Sequence, residues 1–219
     1  MASGDWNRSL IFSSNEIKEM LKKAAMSSGL PVGLAEDASE AALWLIRQGL
    51  DGVGAVLVAI ESGFNNPTKI ERVGNTLKFL EARVALCGPS GVDLLAGDTS
   101  VEEIHFCKVD SPLLLIGQAG IGAKIFGFEL TLGFSDGVTA SVSQKGLSLC
   151  GSTFKTGADV HMKCCQSNPI TSVEKKWDKE IKIDLETWQK LETLAARTYV
   201  PSNELSRMKG AGAGLIDNN

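Results

Sequence analysis

The chain has 219 residues, of which 43% are hydrophobic and 22% are charged, and its formal net charge is -4. These values are typical of globular proteins and exclude wholesale disorder, and the mild acidity without basic clusters argues against nucleic-acid binding. No apolar run reaches the roughly 20 residues that a transmembrane helix needs, so we expect no membrane partner.

The cysteines are odd in number and irregularly spaced, in a chain too large to need disulfide bridges. They are Cys87, Cys107, Cys150, Cys164 and Cys165. The N-terminal residues MASGDWNRSLIF do not resemble a secretion signal. We therefore expect a cytoplasmic protein with reduced thiols, and we expect Cys150 to be buried and inert.

The N-terminal part is predicted to be helical. Ser13 and Glu16 form a capping box, and apolar residues then recur at helical spacing, with Gly29 as the left-handed stop. A second helix follows and ends at Gly49, and an almost wholly apolar third helix covers 53–62.

The remainder is predicted to be richer in strands. The segment NTLKFLEARVALCG fits either a helix or a pair of strands, and we favour a strand over 83–87. Alternating segments predict short antiparallel strands, and PLLLIGQAGIGAKIFG predicts a buried helix; the strand segments are VEEIHFCKV, FELTLGF, VTASVSQ and LSLCG. Further strands are expected over 158–165 and 180–184, and Asp184 then caps a C-terminal helix.

These elements predict an α+β fold. It has an N-terminal helical hairpin with a third helix, a central, mostly antiparallel β-sheet, a C-terminal helix and a glycine-rich tail. We expect a single domain over 1–219, which could divide into a helical part, 1–80, and an α+β part, 81–219.

The last twenty residues, VPSNELSRMKGAGAGLIDNN, supply the first candidate site. Free backbone N–H groups in a glycine-rich loop beside an arginine would bind a carboxylate or phosphate. The alternative is a flexible tail, or a structural latch in which glycine lets the backbone lie against a neighbouring subunit. The candidate ligand-binding residues are Ser206, Arg207, Gly210, Gly212, Gly214 and Asp217.

A second candidate site lies on one strand. The period of two places Glu103, His105 and Cys107 on one face, where they could form a nucleophile with its base or part of a metal site. Neighbours on one face of a strand are about 7 Å apart, too far for a direct hydrogen bond, so partners must come from elsewhere.

The other histidine, His161, lies near Cys164 and Cys165, so a mixed His and Cys zinc site that spans both strands is an alternative. Because no C-x-x-C motif is present, we assign no metal ligand from the sequence. The catalytic residues and cofactors stay unknown.

The run Gly117 to Lys124 superficially resembles a phosphate-binding loop. Ala123 intervenes between the last glycine and the lysine, and Ile125 replaces the hydroxyl residue of such loops. We expect these small residues to let a helix pack closely instead.

Two segments resemble a bacterial family of unknown function, DUF3726-like, for which no activity is assigned. They are SSNEIKEMLKKAAMSSGLPVGLAEDASEAALWLIRQGLDG at the start and RTYVPSNELSRMKGAGAGLIDNN at the end. The first two helices also resemble those of the non-Rossmann malate and lactate dehydrogenases. That family continues with a Gly-x-x-Ser-His-Gly segment, whereas this chain has DGVGAV from Asp51, without the serine and histidine.

We therefore expect a protein that binds a small anionic metabolite, a carboxylate or phosphate, in bacterial catabolism. The alternative is a non-catalytic oligomeric or accessory subunit of a metabolic enzyme, built on the helix 53–60 and the tail. An oxidoreductase is a minor alternative, and whether the protein is an enzyme stays open.

Overall fold

A computed structural model describes residues 9–66, 68–151, 154–165 and 180–198. Within these ranges the chain forms six α-helices and nine β-strands. The helices are α1 (Ser14–Ser27), α2 (Val32–Arg47), α3 (Gly52–Ser62), α4 (Val84–Gly97), α5 (Pro112–Phe126) and α6 (Leu185–Ala195). The strands are β1 (Ser9–Phe12), β2 (Lys69–Val73), β3 (Thr76–Leu80), β4 (Glu103–Phe106), β5 (Glu129–Phe134), β6 (Thr139–Ser143), β7 (Gly146–Cys150), β8 (Val160–Cys165) and β9 (Ile181–Asp184).

Seven strands form one sheet in the order β2-β3-β4-β8-β5-β6-β7. All neighbours are antiparallel except β3 and β4, which run parallel. Strand β8 therefore inserts between β4 and β5, although it comes much later in the chain. Strands β1 and β9 form a separate antiparallel pair. The predicted α+β fold with a mostly antiparallel central sheet is confirmed.

One face of the large sheet packs against helices, and the other carries polar side chains. Ile104 and Phe106 of β4 are fully buried, and the Phe106 ring stacks on Phe79 of β3 with centroids 5.1 Å apart. Helices α4 and α5 contact this sheet, α2 packs on α5, and α1 packs on α2. The alternating burial along the strands follows from their period of two.

Local chemistry at the helix ends agrees with the sequence predictions. Ser13 and Glu16 form a reciprocal capping box at the start of α1, and Gly29 follows α1 with a φ of 101°. Gly49 has a φ of 78° just after α2. The side chain of Asp184 accepts a hydrogen bond from the backbone of α6, as a capping residue should.

The predicted strand over 83–87 is wrong, because these residues begin helix α4. The segment 75–88 holds one strand, β3, followed by the start of this helix, and the hairpin partner of β3 is β2, which lies before the segment, so the segment is neither a helix throughout nor a pair of strands. Helix α4 contains Gly88, Pro89 and Gly91, which all disfavour a helix by propensity. Tertiary packing prevails, since a Cβ at Gly91 would lie 2.5 Å from the Phe106 ring.

The glycine run 117–124 lies inside helix α5 and serves close packing, as predicted. A Cβ on Gly117 would lie 2.7 Å from the backbone oxygen of Ala41 in α2. Gly120 faces the ring of Trp44 in the same way, and Gly122 faces Val92 of α4. None of the helices in the described ranges is long and apolar enough to cross a membrane.

Candidate functional site

The polar face of the sheet brings together side chains from β4 and β8. The antiparallel register pairs Glu103 with Lys163 and His105 with His161. The side chains of Glu103 and His105 are 19% and 16% exposed, whereas that of His161 is 52% exposed. The predicted placement of Glu103 and His105 on one face is confirmed, and their partners come from another strand, as expected.

The two histidines form a stacked pair. Their ring centroids are 4.0 Å apart with an interplanar angle of 18°. His161 Nδ1 lies 2.7 Å from Glu103 Oε1, and Lys163 Nζ lies 3.4 Å from Glu103 Oε2. Burial acts to raise the pKa of Glu103, but the hydrogen bond with His161 and the charge of Lys163 outweigh it and lower the pKa. Glu103 is therefore an anion engaged with β8.

Beside this pair, three metal-ligand side chains converge. One ligand atom each from His105, Cys107 and Asp159 lies within 4.8 Å of the other two. His105 Nε2 is 3.7 Å from Asp159 Oδ2, which is beyond hydrogen-bonding distance. That nitrogen is buried and has no hydrogen-bond partner among the described residues. A buried polar atom without a partner is uncommon, and here it leaves the nitrogen available to a metal ion or a water molecule.

Backbone hydrogen bonds fix Cys107 just after β4. Its N–H donates to the carbonyl oxygen of Phe79 at 2.9 Å, and its own carbonyl accepts from the N–H of Ala82 at 2.9 Å. The next residue, Lys108, has a φ of 52°, in the left-handed region that non-glycine residues seldom adopt. This turn ends β4 and holds the thiol at the edge of the polar face.

A second set of contacts orients Asp159 just before β8. Its Oδ1 accepts the backbone N–H of Lys108 at 2.8 Å, and its own N–H donates to Ser135 Oγ at 3.0 Å. The other carboxylate oxygen, Oδ2, is the one that faces His105. Hydrogen bonds that orient the ligands of a metal are a regular part of metal sites.

The pKa shifts of His105 and Cys107 favour the neutral form of each side chain. Burial lowers the pKa of His105, and the neighbouring His161 lowers it further, although Asp159 acts in the opposite direction. Burial also raises the pKa of the Cys107 thiol, and so does the charge of Asp159. A thiol with a raised pKa is a poor nucleophile, so the interpretation as a nucleophile with its base loses support.

The donor set suits a transition metal. Neutral imidazole, thiolate and carboxylate all bind Zn²⁺, at about 2.0–2.1, 2.3 and 2.0–2.2 Å respectively. Tetrahedral geometry with these bond lengths places ligand atoms roughly 3.3–3.7 Å apart. The His105 to Asp159 distance of 3.7 Å meets that value, and the remaining separations need at most about 1 Å of adjustment. Metal binding deprotonates a coordinating thiol, so its raised pKa is no obstacle.

Other predicted site residues have different fates. Ser206, Arg207, Gly210, Gly212, Gly214 and Asp217 lie outside the described residues. Cys164 lies on the opposite face of β8 from His161, and Cys165 contacts Thr131 Oγ1 at 2.9 Å, so neither joins His105. Cys150, expected to be buried, is exposed, because it ends the edge strand β7.

Asp159 is the residue that the sequence analysis missed. It shares its face of the chain with His161 and Lys163 because of the same period of two, in the segment ADVHMK. That alternation of polar and apolar residues was the available signal. The pairing of β8 with β4, which brings the carboxylate to His105, was not readable from the sequence.

The segment from Asp51 forms the start of helix α3. The side chain of Asp51 caps this helix, because its Oδ1 accepts a hydrogen bond from the backbone N–H of Gly54 at 2.7 Å. A serine and a histidine like those of the dehydrogenase segment are absent at this place, as the sequence already indicated.

The model of a family described as a protein of unknown function (DUF3726) matches residues 12–68. This match confirms the resemblance over the first three helices, and the resemblance of the C-terminal segment stays a prediction. A comparison with curated proteins gives no match.

Three solved structures show a partial likeness to the chain. Malate dehydrogenase from Entamoeba histolytica has a TM-score of 0.49 and 13% identity, over 65% of this chain and 49% of that chain. Malate dehydrogenase from Pyrococcus horikoshii OT3 has a TM-score of 0.46 and 12% identity, over 68% of this chain and 52% of that chain. Sulfolactate dehydrogenase from Methanocaldococcus jannaschii has a TM-score of 0.45 and 12% identity, over 64% of this chain and 50% of that chain. The chain thus spans about half the length of these dehydrogenases, and the likeness assigns it neither a substrate nor a cofactor.

Proposed function

We propose that the protein binds a divalent transition metal, Zn²⁺ or a close analogue, and uses it to bind a small anionic metabolite. The supporting observation is the convergence of His105, Cys107 and Asp159, with the buried Nε2 of His105 lacking a partner in the described part of the chain. Three protein ligands leave one position of a tetrahedral ion for an outside ligand. A carboxylate or phosphate oxygen suits that position.

Positive charges near the cluster favour an anion. Lys78 of β3 lies beside His105 in the parallel register, and its charge contributes to lowering the pKa of that histidine. Lys163 lies on the same face of the sheet, and its ammonium forms an ion pair with Glu103. An anion bound to the metal would gain from the ammonium of Lys78, because opposite charges a few ångströms apart attract even at a partly exposed surface, whereas Lys163 is already paired with Glu103.

The tail enters this proposal as a second source of anion contacts. Arg207 and the glycines after it carry a guanidinium and unhindered backbone N–H groups, which bind carboxylate and phosphate oxygens. This part of the proposal depends on the sequence alone. It is therefore tested separately from the metal.

Zinc affinity tests the metal part. We expect His105→Ala and Asp159→Asn each to weaken Zn²⁺ binding by about tenfold or more, measured by competition with a chromogenic chelator. The matched control is His161→Gln, which alters the other histidine of the same face, whose ring nitrogen bonds Glu103 and not the cluster. Equal losses in all three variants would assign the metal to a different place.

Thermal shifts test the anion part. Inorganic phosphate, acetate and succinate are added to the protein with and without Zn²⁺, because a ligand that binds only the folded state raises the melting temperature. We expect stabilisation that requires Zn²⁺ and falls in Lys78→Ala. If Arg207→Ala also loses the stabilisation by these anions, the tail contributes to the anion site. Stabilisation that depends on none of Zn²⁺, Lys78 and Arg207 would refute the proposal.

An oligomeric or accessory subunit is the second candidate function. Most apolar residues of α3 are buried within the chain, so this helix offers little surface for the predicted interface. The favourable observation lies instead on β2, an edge strand whose Ile70 and Val73 are 57% and 56% exposed. Light scattering of the wild type and of Ile70→Lys decides this candidate, since a monomer in both removes it.

A further inference from the structure

A cleft lies among three helices on the other side of the sheet from the metal cluster. It has a volume of about 110 Å³ and is bordered by α2, α4 and α5. The residues that matter for its chemistry are Asp37, Asp93, Gln118, Ile125 and Phe126. Since the proposed metal site is on the opposite face of the sheet, the two sites are tested independently.

Gln118 lines this cleft and is 5% exposed. Its amide nitrogen and its amide oxygen are both buried without a hydrogen-bond partner among the described residues. The oxygen occupies the space where a side chain at Gly88 would begin, so the α4 backbone makes room for the amide. Buried amides are nearly always hydrogen bonded, so the orphaned donor and acceptor of Gln118 are available to a water molecule or to a ligand with a complementary edge.

The rim of the cleft combines negative charge with apolar surface. Asp37 of α2 and Asp93 of α4 both line it, and neither has an ion pair within the described ranges. Burial raises the pKa of Asp37, and the negative charges of Asp93 and Glu36 raise it further. The C-terminal end of α5 contributes Ile125 and Phe126 to the lining, and they are 68% and 47% exposed.

We propose that this cleft binds a small organic cation, a protonated primary amine whose short apolar chain ends in a hydrogen-bonding group. The ammonium lies between Asp37 and Asp93, and the chain lies against Phe126. The terminal group, an amide or an equivalent donor and acceptor, pairs with Gln118. This arrangement pairs the amide with a ligand edge, and one ammonium that contacts both carboxylates reduces the repulsion between them.

Calorimetric titration of the full chain tests this site with three matched probes, in the presence of a metal chelator. Aminobutyramide carries both groups, butylamine lacks the amide and butyramide lacks the ammonium. We expect aminobutyramide to bind about tenfold or more tightly than butyramide, because the free energy of one charge-assisted hydrogen bond corresponds to about a tenfold change in the dissociation constant. No measurable heat at millimolar aminobutyramide, or equal binding of butyramide, overturns the proposal.

Variants then assign the contacts. Asp37→Asn and Asp93→Asn should each weaken aminobutyramide binding about tenfold, while Glu19→Gln, an exposed carboxylate of α1 outside the cleft, should leave it unchanged. Gln118→Leu should abolish the preference for aminobutyramide over butylamine and keep butylamine binding, which also shows that the variant is folded. A preference that persists in Gln118→Leu, or affinity that is unchanged in both asparagine variants, overturns the site.

Discussion

Replacing Gly117 with alanine tests the close packing of α5 on α2. The new Cβ would lie 2.7 Å from the backbone oxygen of Ala41 and 3.0 Å from Leu45 Cγ. Ordinary van der Waals contact starts at 3.4 Å, so the new Cβ and the Ala41 oxygen must separate by about 0.7 Å. That oxygen belongs to the buried backbone of α2, so the two helices themselves must move apart. A backbone atom cannot rotate away as a side-chain end does.

The expected loss of stability follows from two opposing terms. Overpacking a buried contact costs about 1–3 kcal/mol, and the better helix propensity of alanine returns up to about 1 kcal/mol. The net loss in the free energy of unfolding therefore lies between about 0 and 3 kcal/mol, and the middle of that range, about 1–2 kcal/mol, lowers the melting temperature by roughly 2–8 °C in a chain of this size.

Urea and thermal unfolding followed by circular dichroism measure this loss. The matched control is Gly33→Ala in α2, where a Cβ meets nothing within 4 Å. That variant should be neutral or more stable by up to about 1 kcal/mol. If Gly117→Ala is as stable as the control, the glycine is not required by packing and the reasoning fails.

Two further perturbations address a fully buried carboxylate and a partly buried one. Asp110 is 2% exposed, and its carboxylate accepts hydrogen bonds from the backbone N–H groups of Val84 and Ser111 at 2.9 and 2.8 Å. Asp110→Ala leaves both donors without a partner and should lower the free energy of unfolding, measured in urea, by about 2–5 kcal/mol. A loss under about 1 kcal/mol would contradict this role. The pKa of Glu103 is lowered in the folded state, where the hydrogen bond with His161 and a nearby lysine overcome burial. Its contribution to stability is therefore complete above the unfolded pKa of about 4.3 and is lost as the pH falls through the lower folded value. Glu103→Gln should flatten the acid limb of the stability curve, and an unchanged acid limb would show that the carboxylate gains nothing on folding.

Much of the fold was predictable because its signals are local. The capping box of Ser13 and Glu16 and the left-handed Gly29 need only neighbouring residues, and both appear where expected. Helix α4 was not predicted, because the segment 75–88 fits either a helix or strands and Gly88 and Pro89 disfavour a helix by propensity. The presence of Gly88 is explained by what it faces, since it makes room for Gln118 from another helix, and no local pattern carries that information.

The candidate site was predictable only in part, for the same reason. Alternation along β4 correctly placed Glu103 and His105 on one face. Because such neighbours are about 7 Å apart and cannot hydrogen bond directly, the prediction that their partners come from another strand was also correct. The choice of partner depended on strand order, because β8 inserts beside β4 only in the folded sheet. The sequence therefore offered Cys164 and Cys165 only as alternative partners without assigning a ligand, Cys164 lies on the other face of β8, and Asp159 was missed.

Cobalt titration reports on the proposed metal centre through the thiolate ligand itself. Co²⁺ replaces Zn²⁺ in sites of this kind, and a bound thiolate adds a charge-transfer band that histidine and carboxylate ligands do not give. The account predicts one equivalent of Co²⁺ per chain with that band, lost in Cys107→Ser and retained in the exposed-cysteine control Cys150→Ser. Absence of binding, or an unchanged band in Cys107→Ser, would contradict the assignment of His105, Cys107 and Asp159 as ligands.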